Sequence, residues 1–289
     1  MLVGLLAAIT VFAAAVVAVV VALDRQPAAP VVEACTATMD GVAYSLDPDQ
    51  AQHAALFAGL AEQRGLPARA VTIAIATAMQ ESKIENIDYG DRDSLGLFQQ
   101  RPSQGWGTPE QVTDPVYATG TFYDHLVKVD GYQDLPITEA AQAVQRSGFP
   151  EAYARHESVA RAWASALTGH SPGAITCTLR DPQSATTAAT ATTLAVANAR
   201  LTRDLGTLAA GAVVTPATGA TPATITLPAS GAGSEQTRRA AARAAWAVAT
   251  AHELGTTSVT VGDQTWTRAG DWAPAATPAP AGTVVLTFR

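Results

Sequence analysis

The sequence predicts an α+β protein in which a mainly α-helical domain precedes a small α+β domain, with a transmembrane helix at the N-terminus. Three observations predict it: an unbroken apolar run at the start, helical spacing of apolar residues through the first half, and strand-like segments between turns in the second half. The predicted parts are a membrane anchor or signal peptide (1–24), a tether (25–34), the helical domain (35–180) and the α+β domain (181–289), which contains a Pro- and Gly-rich segment (207–235).

The N-terminal segment is apolar without interruption over residues 2–23. A helix needs about 20 apolar residues to cross a bilayer, whereas the apolar part of a cleaved signal peptide has about 7 to 15. The length therefore favours contact with the membrane through an uncleaved anchor, and a cleaved signal peptide remains the alternative. Both place the remainder outside the cytoplasm, either membrane-anchored or secreted.

The helical domain contains five segments with apolar residues at helical spacing. These segments are 49–64, 68–82, 114–129, 138–145 and 153–167. The second is apolar nearly all round, which predicts a central, buried helix. The stretch between the second and third segments is rich in Asp, Gly, Pro and Ser and is predicted to be mostly loop.

The C-terminal domain follows a predicted hinge over residues 171–183, where Pro and Gly interrupt the helical pattern. Two helices are predicted, over 185–205 and 237–254. Four strands are predicted, over 223–227, 258–261, 264–268 and 283–288.

Composition and charge exclude several function classes. The chain has a net charge of −7 and no cluster of Lys and Arg, so a nucleic-acid partner is not expected. The five His and two Cys do not stand at metal-ligand spacing, so neither a metal nor another cofactor is expected. Ser82 and Ser94 lack the context of a nucleophile elbow, which argues against a serine hydrolase. The sequence identifies no protein partner.

The two cysteines, Cys35 and Cys177, stand at the edges of the helical domain. In an oxidising compartment the simplest interpretation is one disulfide that closes this domain. A lipid-modified Cys35 is the alternative, because residues 32–35 faintly resemble a lipobox.

One acidic residue, Glu81, stands at the end of the most apolar helix. Partial burial of a carboxyl group disfavours its charged form and raises its pKa, as a general acid near neutral pH requires. The alternative is an ordinary solvated carboxylate at the C-terminal end of a helix.

The spacing around Glu81 is specific. Glu81-Ser82 stands at the end of a predicted buried helix, and the motif Gly96-Leu97-Phe98-Gln99 follows it. Gly96 lies fifteen residues after Glu81. This pattern resembles the soluble lytic transglycosylase and goose-type lysozyme superfamily over residues 45–170. The stretch 99–107 is similar to an actinobacterial branch of exported proteins within it.

The resemblance implies a lysozyme-like fold for the helical domain and cleavage of peptidoglycan glycan strands in the cell wall, with Glu81 as the catalytic acid. It implies substrate contacts from Ser82, Gly96, Leu97, Phe98, Gln99, Trp106, Gln145 and Tyr153. Trp106, between two glycines in a polar loop, is either a wall of the cleft or an anchor of its loop.

The family's third motif, Ala-Tyr-Asn-Ala-Gly, is altered here. Gln145 replaces its Asn in kind, but Val144 stands where the family has a Tyr that orients the catalytic carboxylate. Tyr153, eight residues after Gln145, is a candidate to supply that hydroxyl. Because of Val144, a non-catalytic peptidoglycan-binding or scaffold protein on the same fold remains the alternative function.

The family mechanism needs one carboxyl group and yields a 1,6-anhydro product, because the substrate's own acetamido group can stabilise the cation. A hydrolytic version needs a second carboxylate. Asp88, Asp91 and Asp93 are candidates for it, and turn formation is their ordinary interpretation.

The C-terminal domain has tryptophans on its second helix and on the strands after it, Trp246, Trp266 and Trp272. This pattern weakly resembles small modules found beside cell-wall enzymes in actinobacteria. Ordinary packing of these tryptophans within an α+β core is the alternative.

Overall fold

Nine α-helices and two β-sheets organise residues 31–182 and 191–288, the part of the chain that the computed structural model describes. This mixed architecture confirms the predicted α+β class. The helices are α1 Pro48–Gln63, α2 Ala68–Ser82, α3 Pro109–Val112, α4 Pro115–Leu126, α5 Ile137–Gln145, α6 Glu157–Leu167, α7 Ala191–Leu205, α8 Gly233–Ala249 and α9 Ala251–Leu254. The strands are β1 Ala34–Met39, β2 Val42–Leu46, β3 Ile175–Thr178, β4 Val213–Thr215, β5 Ala223–Pro228, β6 Thr256–Val261, β7 Gln264–Thr267, β8 Gly270–Pro274 and β9 Thr283–Phe288.

The first sheet has the strand order β2-β1-β3, and both neighbours run antiparallel to β1. A two-residue turn joins β1 to β2, with Asp40 and Gly41 both at positive φ, as a type I′ hairpin requires. Residues 175–178, which fall inside the predicted hinge, are a strand instead. Pairing with β1 satisfies their backbone N–H and C=O groups, so this stretch is fixed to the helical part of the chain.

Cys35 and Cys177 face each other across β1 and β3 and form a disulfide, which confirms the predicted pairing. Both residues are fully buried. A lipid on Cys35 would need the sulfur that this bond occupies, so the lipobox alternative does not fit the structure.

Removing the disulfide is expected to lower the free energy of unfolding by about 3–5 kcal/mol, because the bond closes a loop with a sequence separation of 142 residues. Urea unfolding of a Cys35→Ala, Cys177→Ala variant measures this. Reduction with dithiothreitol should lower the urea concentration at the unfolding midpoint of the wild type and leave that of the variant unchanged. An equal midpoint for the oxidised wild type and the variant would contradict the expectation.

Helix α2 is the centre of the helical part and contacts α1, α4, α5 and α6. Every side chain from Ala70 to Ala78 is buried, as the apolar sequence predicts. An aromatic cluster adjoins it, in which the ring of Phe98 stacks on Phe122 at 4.6 Å and lies 5.1 Å from Phe57. The core therefore holds both the end of α2 and the turn at residues 96–99 in fixed positions.

The second sheet is antiparallel throughout, with the strand order β4-β5-β9-β6-β7-β8. Strand β5 alternates between buried and half-buried residues, as a strand with one face on a core does. Helix α8 packs on β6 and β9 with its Ala-rich face and also contacts α1, α6 and β3.

Two of the three C-terminal tryptophans, Trp266 and Trp272, lie at the contact between the two parts of the chain. Each indole N–H donates to an interior acceptor: Trp246 to the Asp204 carboxylate at 3.0 Å, Trp266 to the Cys177 carbonyl at 3.2 Å, and Trp272 to the Ile175 carbonyl at 2.9 Å. Trp246 and Trp266 are buried, so these contacts favour ordinary packing. The described residues from Glu33 onward accordingly group into one compact unit.

Among the helices within residues 31–182 and 191–288, none combines the length and apolar character needed to cross a bilayer. The predicted membrane segment, residues 2–23, lies outside the described residues, as does the beginning of the helix predicted over 185–205.

Candidate functional site

Glu81 lies in the last turn of α2, and its side chain is half-buried. The apolar sequence before it keeps α2 in the core, whereas the chain leaves the helix two residues later at Lys83. The carboxyl group therefore stands where the core meets solvent.

The Tyr153 hydroxyl donates a 2.7 Å hydrogen bond to Oε1 of Glu81. Tyr153 lies between α5 and α6, just before a short 3₁₀ turn, and is fully buried. Burial and the nearby charge of Glu81 raise the pKa of the Tyr153 phenol, so it keeps its proton and acts as the donor. The structure thus brings to Glu81 the hydroxyl that Val144 cannot supply; Val144 itself is buried.

Gln145, the last residue of α5, connects the carboxyl group to the turn at 96–99. Its side-chain amide donates a 2.7 Å hydrogen bond to the Phe98 carbonyl and also hydrogen-bonds the Glu81 carboxyl group. The helix ends here because Arg146 adopts a left-handed backbone conformation with φ 54°. The amide is thereby held between the two elements.

Burial raises the pKa of Glu81, and the hydrogen bonds from Tyr153 and Gln145 lower it by a smaller amount. The net shift is upward, so a larger fraction of this carboxyl group is protonated near neutral pH than for a solvated Glu. The same two donors stabilise the carboxylate once the proton has left.

The turn at residues 96–99 packs beneath the site. The Ser82 hydroxyl donates to the Leu97 carbonyl at 2.7 Å, which fastens the turn to the end of α2. The side chains of Leu97 and Phe98 are fully buried, so these residues support the site from beneath. Gln99 donates through its amide to the Tyr89 carbonyl at 3.2 Å, which holds the loop before the turn.

Gly96 has φ +74° and lies against the backbone of α3. A Cβ atom at this position would overlap the carbonyl oxygen of Val112. The glycine is therefore required by close packing against protein.

Four of the six non-glycine residues with positive φ in the described part of the chain flank Glu81. They are Lys83 (59°), Ile84 (60°), Gln99 (47°) and Arg146 (54°). This conformation costs about 1–2 kcal/mol for a residue with a Cβ and is least favourable for a β-branched residue such as Ile84. Backbone strain of this kind concentrates where function fixes the chain, so its distribution supports a site at Glu81.

Trp106 and Gln145 line a pocket of about 500 Å³, which Glu81 itself does not line and to which Gln145 connects it. The Trp106 ring packs on the ring of His125 with 4.2 Å between centroids and is partly buried. Trp106 therefore anchors its loop on α4 and also lines this pocket, while its role as a wall of a substrate cleft stays a prediction. The volume falls within the range of about 300–1,000 Å³ that is usual for ligand sites.

The three candidate second carboxylates lie in the loop between α2 and the turn. Asp93 accepts hydrogen bonds from the Ser103 backbone at 2.7 Å and from Arg101 at 2.9 Å, and these bonds hold its pKa well below the usual range. Asp88 and Asp91 are exposed. No Asp or Glu within the described residues contributes to the pKa shift of Glu81.

Sequence reasoning missed two neighbours of the site. Arg155 donates to the Gln80 side-chain oxygen at 2.7 Å, and Nε2 of His156 lies 3.2 Å from the same atom. Both follow Tyr153 on the 3₁₀ turn and fix the residue before Glu81. Their position directly after Tyr153 is the only signal for them in the sequence.

The raised pKa of Glu81 makes protein stability depend on pH. A carboxyl group whose folded pKa lies above its unfolded pKa stabilises the fold below the unfolded pKa, and this contribution is lost as pH rises through the folded pKa. Glu81→Gln is therefore expected to raise the free energy of unfolding at pH 7–8 by about 0.5–2 kcal/mol, a common gain when a functional-site penalty is removed. Urea unfolding should show the difference shrinking below about pH 4; equal gains at both pH values would contradict the expectation.

Among the described residues no group of three or more His, Cys, Asp or Glu side chains could hold a metal ion. No protein-family model matches the chain, and neither does any curated protein. The geometry around Glu81 is therefore the basis for assigning a function.

Proposed function

We propose that this protein cleaves the glycan strands of peptidoglycan, with Glu81 as general acid and base on a lysozyme-like helical fold. One observation carries the proposal: a half-buried carboxyl group at the end of the central helix accepts a hydrogen bond from the buried Tyr153 hydroxyl. The arrangement gives Glu81 a raised pKa and a fixed orientation, which are the two properties that a general acid needs.

The proposed reaction begins when Glu81 donates its proton to the oxygen that joins N-acetylmuramic acid to N-acetylglucosamine. The bond from that oxygen to C1 of the muramyl residue breaks, and the substrate's 2-acetamido group stabilises the cation. The Glu81 carboxylate then removes the proton of the 6-hydroxyl group as this oxygen bonds to C1. The product is a 1,6-anhydro sugar, and Glu81 recovers its proton.

The placement of the three candidate second carboxylates favours this route over hydrolysis, because Asp93 is bound to Ser103 and Arg101, and Asp88 and Asp91 are exposed. Paired carboxylates usually serve glycosidases that form a glycosyl-enzyme or activate water, and substrate-assisted enzymes are an exception. Tyr153 and Gln145 are positioning residues in this scheme, because both donate to the carboxyl group.

The proposed compartment is the outside of the cytoplasmic membrane, where peptidoglycan lies. The Cys35–Cys177 disulfide supports it, since disulfides persist in oxidising compartments. Anchoring through residues 2–23 remains a prediction from the sequence.

The test is incubation of the full-length protein, kept soluble in a non-ionic detergent, with purified sacculi, followed by mass spectrometry of the released muropeptides. Products with 1,6-anhydro ends are the expected result. Products with reducing ends would show that the protein hydrolyses the glycan and is not a transglycosylase. Binding to sacculi without any product would favour the non-catalytic alternative. If the protein neither binds sacculi nor releases products, the proposal is overturned.

A further inference from the structure

The pocket that Trp106 and Gln145 line carries positive charge. It is lined by Trp106, His125, Lys128, Gln145 and Arg146, among others, and we call it the cationic pocket. None of its lining residues is acidic, although the chain as a whole has a net charge of −7. An excess of cations at one place in an acidic protein needs a local explanation.

Lys128 and Arg146 are exposed, and no carboxylate in the described part of the chain lies within ion-pair distance of either. Some other cations of the helical part are paired, such as Arg64 with Asp124 at 2.6 Å and Arg101 with Asp93 at 2.9 Å, whereas the exposed Lys83 and Arg92 also lack an ion-pair partner among the described residues. Lys128 and Arg146 are thus two unpaired cations that line the same pocket.

The aromatic wall suits a sugar ring next to these charges. Nδ1 of His125 lies 2.9 Å from the Thr121 carbonyl, an atom that can only accept, so this nitrogen carries the proton and the ring is held beneath Trp106. Gln145 lines the pocket and also hydrogen-bonds Glu81, so this one side chain connects the pocket to the proposed catalytic group.

We infer that the cationic pocket binds a carboxylate carried by the muramyl residue of the glycan, through Lys128 and Arg146, while Trp106 contacts the sugar. This inference rests on the proposed function and defines the preferred substrate as an acidic glycan. The carboxylate has two sources: the lactyl group when the stem peptide has been removed, and the peptide itself when it is retained.

The experiment measures binding by calorimetry to full-length protein carrying Glu81→Gln, so that turnover does not interfere. The ligands are oligosaccharides of equal length: peptide-free muramyl glycan, peptide-bearing glycan, the methyl ester of the peptide-free form, and neutral N-acetylglucosamine oligomers. At least one acidic form is expected to bind about tenfold more tightly than the neutral forms. Tighter binding of the peptide-free form identifies the lactyl group as the source, and tighter binding of the peptide-bearing form identifies the peptide.

Adding Lys128→Gln and Arg146→Gln is expected to lower affinity for the acidic glycan about threefold each and tenfold together, since exposed ion pairs are individually weak. Affinity for neutral oligomers should stay the same. A control pair, Lys83→Gln with Arg92→Gln, changes the net charge equally at exposed positions outside the pocket and should leave the preference intact.

Two results would overturn the inference. One is equal affinity for acidic and neutral glycans when the pocket is unaltered. The other is a loss of affinity for the acidic glycan in the control pair that equals the loss in the pocket variant. Failure of the proposed function has a different signature, in which sacculi yield no products while the acidic preference and its loss in the pocket variant remain. If cleavage occurs and the pocket substitutions leave the glycan preference unchanged, the proposed function stands and the inference fails.

Discussion

Replacing Glu81 with Gln is expected to lower the rate of muropeptide release from sacculi by about 10³-fold. General acid–base catalysis contributes about 10²–10⁴-fold, and here one group performs both steps. The amide has nearly the same size as the carboxyl group and can still accept the hydrogen bond from Tyr153, so the fold and the shape of the site should persist. The measurement is the initial rate of product formation at equal protein concentrations, with circular dichroism to verify folding.

Glu85→Gln is the matched control, since Glu85 is an exposed residue four positions further along the chain. Its rate should equal that of the wild type. A Glu81→Gln protein that is folded and keeps more than a tenth of the wild-type rate would remove Glu81 from the role of general acid.

Local patterns in the sequence predicted helices better than strands. The bounds of α2 match the prediction because an apolar run between Pro67 and the polar loop depends on neighbouring residues alone. The β1–β2 hairpin was not predicted, although Asp40-Gly41 between alternating residues is a hairpin signal. Strand β3 carries no such signal, because its partner β1 lies far away along the chain and only the folded structure brings them together.

For the site, too, local sequence patterns predicted one part, and the other part depends on contacts that only the folded structure brings together. Spacing brought Glu81 and the turn at 96–99 to attention, but it could not distinguish buried supports such as Phe98 from groups that face a ligand. The identity of the hydroxyl donor depends on how the segment between α5 and α6 folds. The sequence named Tyr153 as a candidate, but it could not give the distance between the Tyr153 hydroxyl and the Glu81 carboxyl group. His125 and Lys128 stand on or after a separate helix, so no sequence pattern relates them to Glu81.

Replacing Tyr153 with Phe is expected to lower kcat/KM by about 10–100-fold and to move its high-pH limb to higher pH. The hydroxyl donates to the Glu81 carboxyl group and lowers its pKa, so removing it raises that pKa further. Because the protonated form is the active acid, activity then persists to higher pH, while its maximum falls. Hydrogen bonds to charged groups contribute about 1.5–3 kcal/mol, which corresponds to the expected loss in rate.

Tyr123→Phe is the control that separates positioning from packing. The Tyr123 hydroxyl is also buried and donates a 2.9 Å hydrogen bond, but its acceptor is the Phe57 carbonyl in the core. This variant should lose stability and keep the pH profile of the wild type. If Tyr153→Phe lowers activity without moving the high-pH limb, the hydroxyl supports the fold alone, and the orientation of Glu81 must come from Gln145.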